Sequence, residues 1–582
     1  MDDQKRFTLA MALSGLILAA YFFLYLKPAA ERTSIEKKKE IEALNQQKFE
    51  QVVPPQERSA LITEGTRIKI DSPKLHGSFS TTGMRFDDLT LKEYKQELDP
   101  NSPDVIMFTP EGAEHASYVF DNWVANIGES GSDHQWAVIS GTVLTMETPV
   151  VLKYTADNYT AQRTVSIDDH YLITLKDVVT NTSSKEISLV RKGTAKQHGL
   201  PDDLTNFYII QEGPIAIVDD HLEKIKYKKL EKKTKVQHQG KAGWVGLTDR
   251  YWLAAAIAPQ DQNITADFEM EIIQGQNVYE ASYATKPITF SPGEAKQSTG
   301  YIYAGAKERI LLKTYETTHG IAQMERAIDW GIFRILTRPM SWALTKLGAL
   351  TGNFGFGILL LTLVVKILLF PLNNKAYASM AKMKLVQPKL KKLQARYEDD
   401  RGKLQQEMMA LYRKEGVSPV AGCLPMIPQA FIFFALYKSL FITLEMRHAP
   451  FIGYLKDLSA KDPLSILNGF GVLPWDAVPI AAISILALGP LAIMYGITMG
   501  LMQTLNTPPA DKIQARLFQL MPIFFTFILG RFAAGLLLYW VWNNLLTLIQ
   551  QYYITRKFKV ETPLDKFFAK LKSKETKSAN DG

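Results

Sequence analysis

The 582-residue chain carries 67 Lys and Arg against 59 Asp and Glu, a formal net charge of +8, and 46% of its residues are hydrophobic. This composition excludes a wholly disordered or collagen-like chain, and the single cysteine, Cys423, excludes an intrachain disulfide and a cysteine-rich zinc site. The mean hydropathy of −0.07 averages a polar part, residues 27–320, with an apolar part, residues 354–554. The sequence therefore predicts a membrane protein that carries a large soluble insert.

The first apolar run, Phe7 to Leu26, contains no charged residue and is long enough as a helix to cross about 30 Å of hydrocarbon. A cleavable signal peptide would have a shorter apolar core and a clear small-residue cleavage site. We therefore expect residues 1–26 to form an uncleaved signal anchor. The charged, helix-prone residues 27–56 follow it as a linker.

Five further apolar runs predict the remaining membrane spans, which with the anchor make six: residues 354–372, 424–443, 480–502, 513–529 and 532–554. The run over 513–529 is short and contains Pro522, but without it the last span would cross in the wrong direction. The predicted fold is a multi-pass α-helical membrane protein with a large outside domain.

The distribution of basic residues predicts the orientation of these spans. Residues 373–419 hold eleven Lys or Arg and the tail over 555–582 holds eight, whereas residues 445–475 hold three. Because basic loops stay in the cytoplasm, both termini are expected inside and the long insert outside. In a bacterium with an outer membrane, this means an inner membrane protein with a periplasmic domain.

The insert over 57–320 reads as an all-β sandwich, because short β-rich segments alternate with turn residues. For example, residues 165–167 and 171–173 are joined by the turn sequence Asp168-Asp169-His170. Such a domain could bind or modify sugars. Its carboxylates could serve acid–base chemistry together with five scattered histidines, which are His76, His115, His134, His170 and His198. Their spacing forms no motif, so a docking or scaffold role is favoured.

Residues 321–350 are predicted to form an amphipathic interfacial helix, whose pattern should end near Pro339. The apolar positions Ile321, Met324, Ile328, Ile332 and Ile335 recur at helical spacing. Such a helix suits the outward-facing interface of the membrane that the spans cross. Packing on the sandwich is an equally good alternative.

Residues 375–418 predict a cytoplasmic helical hairpin, because an apolar seam that includes Met380 and Met383 stops at residues 398–402 and then resumes. Pro388 should bend or restart the first helix. Its basic residues, among them Lys389, Lys391 and Lys392, could contact anionic lipid, ribosomal RNA or an acidic partner, although the positive-inside rule explains most of them. The methionines suit an adaptable surface for varied clients.

The predicted spans contain no Asp or Glu, and the chain has no phosphate-binding loop of the G-x-x-x-x-G-K-[ST] type. These absences disfavour a cation-coupled transporter and transport driven by the chain's own ATP hydrolysis. Lys366 does lie within a span, with Thr362 one turn earlier on the same face. A buried cation costs up to about 3 kcal/mol, which a polar groove or snorkelling to the headgroups could relieve.

Other polar residues of the spans cluster toward the cytoplasmic half: Gln429, Gln519, Thr547 and Gln550, with Thr526 and Asn543 farther out. This distribution predicts a groove open to the cytosol and closed outward, although hydrogen bonds between helices could explain each residue singly. A one-sided groove with a cation is suited to an acidic extracellular tail of a nascent membrane protein. A transporter or channel is the alternative, as is a membrane-tethered carbohydrate-binding protein.

At these residues the sequence resembles the YidC/Oxa/Alb family of membrane protein insertases. The resemblance is carried by segments of the membrane half: Tyr377-Ala378-Ser379-Met380-Ala381-Lys382-Met383, Gln406 to Tyr412, Gly422-Cys423-Leu424-Pro425, Arg447 to Phe451, Asp457-Leu458-Ser459, Asp462-Pro463, and Gly535 to Tyr539 with Asn543 and Asn544. It implies a five-helix insertase core over 354–554, a groove whose cation is Lys366, a mobile hairpin and cooperation with the Sec translocon. The large insert resembles the Gram-negative branch.

Two positions depart from the family pattern, which usually has Arg at the place of Lys366 and Pro within the turn at residues 531–535. We further expect client contacts at the exits of the spans: Leu424, Phe433, Phe525 and Tyr539. No enzymatic reaction, cofactor, metal or DNA is expected. The expected partners are nascent membrane proteins, Sec components, membrane lipids and, through the tail, ribosomes or targeting factors.

Overall fold

A computed structural model describes residues 55–126, 128–201, 204, 210–397, 400–417, 426–473, 487–506, 512–562 and 565. The expected signal anchor at residues 1–26, almost all of the linker and most of the basic tail lie outside these residues. Leu424 and the start of the span expected over 480–502 also lie outside them.

The described residues of the polar part form 20 strands. They are β1 Arg67–Asp71, β2 Leu75–Ser80, β3 Arg85–Lys95, β4 Asp104–Phe108, β5 Ser117–Val124, β6 Ala137–Ser140, β7 Val143–Leu144, β8 Val150–Thr155, β9 Tyr159–Ile167, β10 Leu172–Asn181, β11 Ile187–His198, β12 Gly213–Val218, β13 His221–Lys224, β14 Lys235–Lys241, β15 Gly243–Thr248, β16 Trp252–Ile257, β17 Asn263–Ile273, β18 Gln276–Thr285, β19 Ile288–Phe290 and β20 Ala295–Ala306.

The strands form two sheets. One has the order β14-β17-β18-β11-β5-β3-β2-β1-β7, with β4 added on β3 and β19 on β11; the other has the order β13-β12-β15-β16-β20-β10-β9-β8-β6. Their inner faces share one hydrophobic core, so the predicted β-sandwich is confirmed. The expected hairpin is β9–β10, where Val165 pairs with Leu175 and the Asp168 side chain accepts hydrogen bonds from the amides of His170 and Leu172.

Four charged side chains are buried between the two sheets, which we call the inter-sheet ion cluster. Arg163 and Asp177 come from β9 and β10, whereas Asp121 and Arg191 come from β5 and β11 of the other sheet. Arg163 Nη2 lies 3.0 Å from Asp121 Oδ1, and Arg163 Nε lies 2.7 Å from Asp177 Oδ1. Burial alone would raise the pKa of Asp177, but the two guanidinium groups lower it, so the cluster joins the sheets as charged pairs.

Ten helices are described. They are α1 Arg58–Leu61, α2 Tyr227–Lys233, α3 Arg309–Thr318, α4 Arg334–Thr351, α5 Phe354–Arg396, α6 Arg401–Glu415, α7 Met426–Ile442, α8 Pro490–Leu505, α9 Lys512–Leu529 and α10 Ala534–Lys557. Within the described part of the chain, α5 is long and apolar enough to cross a membrane, while α7, α8 and α9 contain shorter apolar stretches.

The helix expected over 321–350 is shorter at its start and longer at its end than its apolar pattern predicted. Only α4, which begins at Arg334, is a regular α-helix, and it continues through Pro339 to Thr351 because the proline removes just one backbone hydrogen bond. Ile321, Met324 and Ile328 instead belong to the core of the sandwich. Packing on the sandwich is therefore the correct alternative for these earlier residues.

The expected hairpin consists of the end of α5 and α6, but Pro388 does not restart the first helix. A single helix runs from Phe354 to Arg396 with Pro388 inside it. Val386 and Leu390 pack against Val417 on either side of the proline, and this contact holds the helix in register. The predicted seam is confirmed, since Met383, Met408 and Leu411 pack against the same cluster.

A buried carboxylate connects the sandwich to the helical part. Asp329 lies 2.6 Å from Lys438 Nζ of α7 and 2.9 Å from Lys224 Nζ at the end of β13, and it also accepts a hydrogen bond from the Gln211 amide. Arg250 of the sandwich donates to the backbone carbonyl of Phe441 at 2.7 Å. We call the Asp329 contacts the junction clamp, because they tie the two parts of the molecule together.

Replacing Asp329 by Asn should loosen this clamp. Burial alone would raise the pKa of Asp329, but Lys438 and Lys224 lower it to about 2. Because the pKa in the folded chain is below the ordinary value of 3.8, the ionised carboxylate stabilises the fold above pH 3.8, and this stabilisation is lost as the pH falls toward 2. At neutral pH, the shift corresponds to about 2 kcal/mol of unfolding free energy. We expect the exchange of the Gln211 amide hydrogen to become roughly thirtyfold faster in Asp329→Asn.

The matched control is Asp261→Asn, which removes an exposed carboxylate of the same domain. Hydrogen-exchange mass spectrometry of the full chain at neutral pH measures both variants. Equal exchange at Gln211 in the two variants would show that the clamp does not hold the parts together.

Candidate functional site

The geometry around Lys366 resolves how this cation is accommodated. Its side chain is buried, with 8% of the residue exposed, and its Nζ donates a hydrogen bond of 2.6 Å to Thr547 Oγ1 of α10. Thr547 in turn donates to the backbone carbonyl of Asn543, 2.6 Å away. Lys366 therefore points into the helical bundle, and no carboxylate among the described residues forms an ion pair with it.

A second polar group connects α7 to α10. Gln429 Nε2 donates to the Tyr539 hydroxyl at 2.9 Å and lies 3.5 Å from Asn543 Oδ1. Asn543 therefore provides its side chain to Gln429 and its carbonyl to Thr547, so it links the two groups. We call Lys366, Gln429, Tyr539, Asn543 and Thr547 the polar cluster.

Two further predicted residues lie near this cluster. Thr362, one turn before Lys366, is buried and donates to the carbonyl of Ile358, so its hydroxyl is used within its own helix. Gln550 lies one turn beyond Thr547, and its buried Nε2 has no hydrogen-bond partner among the described residues. The amide of Gln550 thus has an unused donor one helical turn from Thr547.

Residues of α9 do not join the polar cluster. Gln519 is exposed, and Thr526 donates to the carbonyl of Pro522 while its side chain packs against Gly496 of α8. Helical spacing placed these two residues inside a span but could not show which neighbour that face meets. Thr526 fits the alternative that polar groups serve helix packing.

The three described residues expected at client contacts have different surroundings. Phe433 is half-buried and stacks on Trp540, with ring centroids 5.1 Å apart. Phe525 is half-buried beside the cluster formed by α8, α9 and α10. Tyr539 is 2% exposed and belongs to the polar cluster, so its ring faces the bundle.

Among the hairpin residues, Met380 and Met383 are half-buried, whereas Lys391 and Lys392 are exposed. Lys389 pairs with Glu415 at the end of α6, with 2.6 Å between its Nζ and the carboxylate. This pair joins the two arms of the hairpin. The sequence pattern had treated Lys389 as one of several equivalent basic residues.

Sequence reasoning missed a set of polar contacts between α10 and α8. Asn544 donates to Thr498 at 3.3 Å, and Gln551 donates to Asn506 at 2.8 Å. These pairs lie on another face of α10 from Lys366, and they explain polar residues in apolar helices as interhelical hydrogen bonds. The seven-residue spacing of Asn544 and Gln551 was a signal that could have found this face.

The turn before α10 is held by the preceding loop, at the place where the sequence lacks the expected Pro. The amide of Ala534 donates to the Ala460 carbonyl at 2.7 Å, and that of Gly535 donates to the Leu458 carbonyl at 2.9 Å. These bonds satisfy amides that the first turn of a helix leaves free. The Asp457-Leu458-Ser459 segment thus positions the helix that carries Asn543 and Thr547.

Comparisons with known proteins cover both parts of the chain. The family model described as 60Kd inner membrane protein matches residues 346–562, and the model described as YidC periplasmic domain matches residues 67–343. The membrane protein insertase YidC of Maricaulis maris is 42% identical, with 98% of each chain covered. That of Bradyrhizobium diazoefficiens is 38% identical, over 97% of this chain and 98% of the relative.

A crystal structure of an active YidC insertase is also similar, with 17% identity, a TM-score of 0.36, and coverage of 84% of this chain and 93% of that one. The sequence matches identify an inner membrane protein with a periplasmic domain, and this family is one of insertases rather than enzymes. They confirm the resemblance found in the sequence motifs. The chain belongs to the YidC family of membrane protein insertases.

Proposed function

We propose that the chain inserts nascent membrane proteins into the inner membrane and assists their folding, by accepting a client's polar tail at the polar cluster. The observation that carries this proposal is the environment of Lys366, a buried cation with a hydroxyl partner and no carboxylate partner among the described residues. Such a cation keeps most of its charge available to a guest. A client tail with Asp or Glu supplies the missing anion.

The proposed topology has six spans, both termini in the cytoplasm and the sandwich in the periplasm. The excess of basic residues at 373–419 and in the tail supports this orientation. In this arrangement, α5 and α10 present Lys366 and Gln550 toward the cytoplasmic half of the bundle. The aromatic stack of Phe433, Tyr437 and Trp540 closes the bundle farther out.

The free energy for insertion comes from the client rather than from a reaction. An apolar segment that moves from water into lipid gains about 25 cal/mol for each Å² of apolar surface removed from water. The main obstacle is the polar tail that must cross with it. The polar cluster lowers that obstacle by replacing part of the tail's hydration with hydrogen-bond donors and a positive charge.

The half-buried aromatic residues Phe433 and Phe525 are proposed to guide the apolar segment of the client toward lipid. Nascent membrane proteins are the substrates in this proposal. Sec translocon components are proposed partners at the membrane, and ribosomes or targeting factors at the basic tail. The exposed Lys391 and Lys392 of the hairpin support an acidic or anionic partner on the cytoplasmic side.

Deleting residues 57–320 tests whether the helical part carries the function. In cells depleted of the native protein, we expect the truncated chain to restore most of the insertion of a single-span reporter. The reason is that the polar cluster is built only from α5, α7 and α10. Protease protection of the reporter tail measures insertion.

A second deletion, of residues 57–330, controls for apolar residues that the first one uncovers, because Ile321, Met324 and Ile328 pack in the sandwich. Complete loss of insertion in both truncated chains, each present in the membrane at normal amounts, would assign the activity to the sandwich instead.

A further inference from the structure

A cavity of about 730 Å³ lies where the sandwich meets the helical part. It is bounded by the β3–β4 connection, the start of α3, one face of α4 and the segment after α7, and we call it the junction cavity. Small-molecule sites typically occupy about 300–1,000 Å³. The junction cavity is therefore large enough for a small polar ligand or the headgroup of a lipid.

The cavity lies at the outer end of an apolar helix. Helix α7, which is apolar apart from Gln429, Lys438 and Ser439, ends at Ile442, and the residues that follow it, including Glu445, line the cavity. Trp342 of α4 also lines the cavity and is 52% exposed. Ile332, just before α4, and Ile335, in its first turn, are about 90% exposed. In the proposed orientation, the cavity opens at the level of the outer-leaflet headgroups, with an apolar helix face beside it.

Several polar side chains of the cavity bond to no other residue in the described part of the chain, and Trp330, Lys346 and Glu445 are three of them. Trp330 is 5% exposed, and its buried indole N–H has no hydrogen-bond acceptor. Lys346 of α4 and Glu445 are exposed, and neither forms an ion pair with a described residue; the Glu445 carboxylate accepts a hydrogen bond from its own backbone amide. These three residues offer a ligand two donors, one of them cationic, and one carboxylate, and the Glu97 carboxylate also lines the cavity.

This pattern matches a ligand that has both a phosphate and an ammonium group. The phosphate accepts hydrogen bonds from Trp330 and Lys346, and charge-assisted bonds of this type are among the strongest in proteins. The ammonium donates to Glu445. A purely anionic headgroup would leave Glu445 facing a like charge, which disfavours it.

We propose that the junction cavity binds the headgroup of a zwitterionic phospholipid with a primary ammonium, from the outer leaflet. Its acyl chains lie against the apolar face of α4. The bound lipid bridges the sandwich and the helical part beside the junction clamp. This inference rests on the proposed orientation of the spans and not on the insertion mechanism.

Native mass spectrometry tests the proposal by measuring which lipid stays bound to the full chain. The chain is purified from nanodiscs that contain equal amounts of an ethanolamine and a glycerol phospholipid. The wild-type chain should retain the ethanolamine lipid in preference. Lys346→Ala should reduce its retention about tenfold, and Trp330→Phe, which keeps the ring and deletes the N–H, should reduce it several-fold. Glu445→Gln should abolish the preference for the ethanolamine lipid.

The matched control is Arg334→Ala, which removes a charge from the same helix outside the cavity and should leave retention unchanged. Retention equal to that of the control in all three variants overturns the proposal. A wild-type preference for the glycerol lipid overturns the ligand class. Displacement of the lipid by free phosphoethanolamine at equal concentration overturns the assignment to a lipid. None of these results depends on insertion activity, so a failure here is distinct from a failure of the proposed function.

Discussion

Replacing Lys366 by Ala is expected to reduce insertion of a reporter with a short acidic tail by roughly thirtyfold. At an effective dielectric constant of about 20, two unit charges about 8 Å apart attract by about 2 kcal/mol, which corresponds to this factor. Lys366→Glu should lose more, because it repels the tail. Lys366→Arg should retain most of the activity, because it keeps the positive charge.

Lys366→Ala should leave the fold intact, which makes its result interpretable. Thr547 keeps its hydrogen bond to the Asn543 carbonyl when Lys366 is removed, and Ala removes a buried charge rather than creating one. Lys375→Glu is the control, since it changes an exposed lysine of the same helix outside the cluster. Protease protection of the reporter tail in depleted cells gives the measurement.

If Ala and Glu at position 366 insert the acidic tail as well as the wild type does, the charge has no part in the step. A reporter with a neutral tail sharpens the test. It should be much less sensitive to Lys366→Ala, because its tail has no anion to attract. Equal sensitivity of both reporters would indicate a structural role for Lys366.

Arg163→Met in the inter-sheet ion cluster is expected to destabilise the periplasmic domain by about 3–5 kcal/mol. The substitution leaves Asp121 and Asp177 buried with only Arg191 to compensate them. An uncompensated charge in such a site is costly because its hydration is lost. For a domain of this size, the melting temperature should fall by roughly 6–20 °C.

Thermal unfolding of the full chain, followed by limited proteolysis of the domain, measures this loss. Lys92→Met provides the control, because it breaks an exposed pair with Asp71 and should cost no more than about 1 kcal/mol. The double variant Arg163→Met with Asp177→Leu should recover part of the stability, since it restores charge balance. A melting temperature equal to that of the control would show that the cluster contributes no stability.

The place of Lys366 within an apolar helix and the all-β architecture of the outside domain were predictable from the order of residues. Alternation and turn residues predicted the β-sandwich, because a strand with one buried face repeats every two residues. The resemblance in the membrane half was confirmed by relatives that match nearly the whole chain. The six-span topology and the opening of the groove toward the cytosol stay predictions.

Contacts between residues that lie far apart in the sequence were not predictable in the same way. Thr547 lies 181 residues after Lys366, and periodicity alone cannot tell which helix faces which. For the same reason, periodicity could not show that Thr526 hydrogen-bonds within its own helix or that Gln519 is exposed, and their place in a groove stays a prediction. Pro339 and Pro388 suggested helix ends, yet both lie inside continuous helices. At Pro388, packing of Val386 and Leu390 against Val417 outweighed the loss of one hydrogen bond.

Hydropathy, charge and motifs were thus enough for the class of protein and for the buried cation Lys366. The folded chain alone decided the charged contacts that hold the parts of the molecule together. Asp329 meets Lys438 across 109 residues, and Arg163 meets Asp121 across two sheets. Local patterns describe which face of an element is apolar, whereas such pairs form only when separate elements pack and exclude water between them.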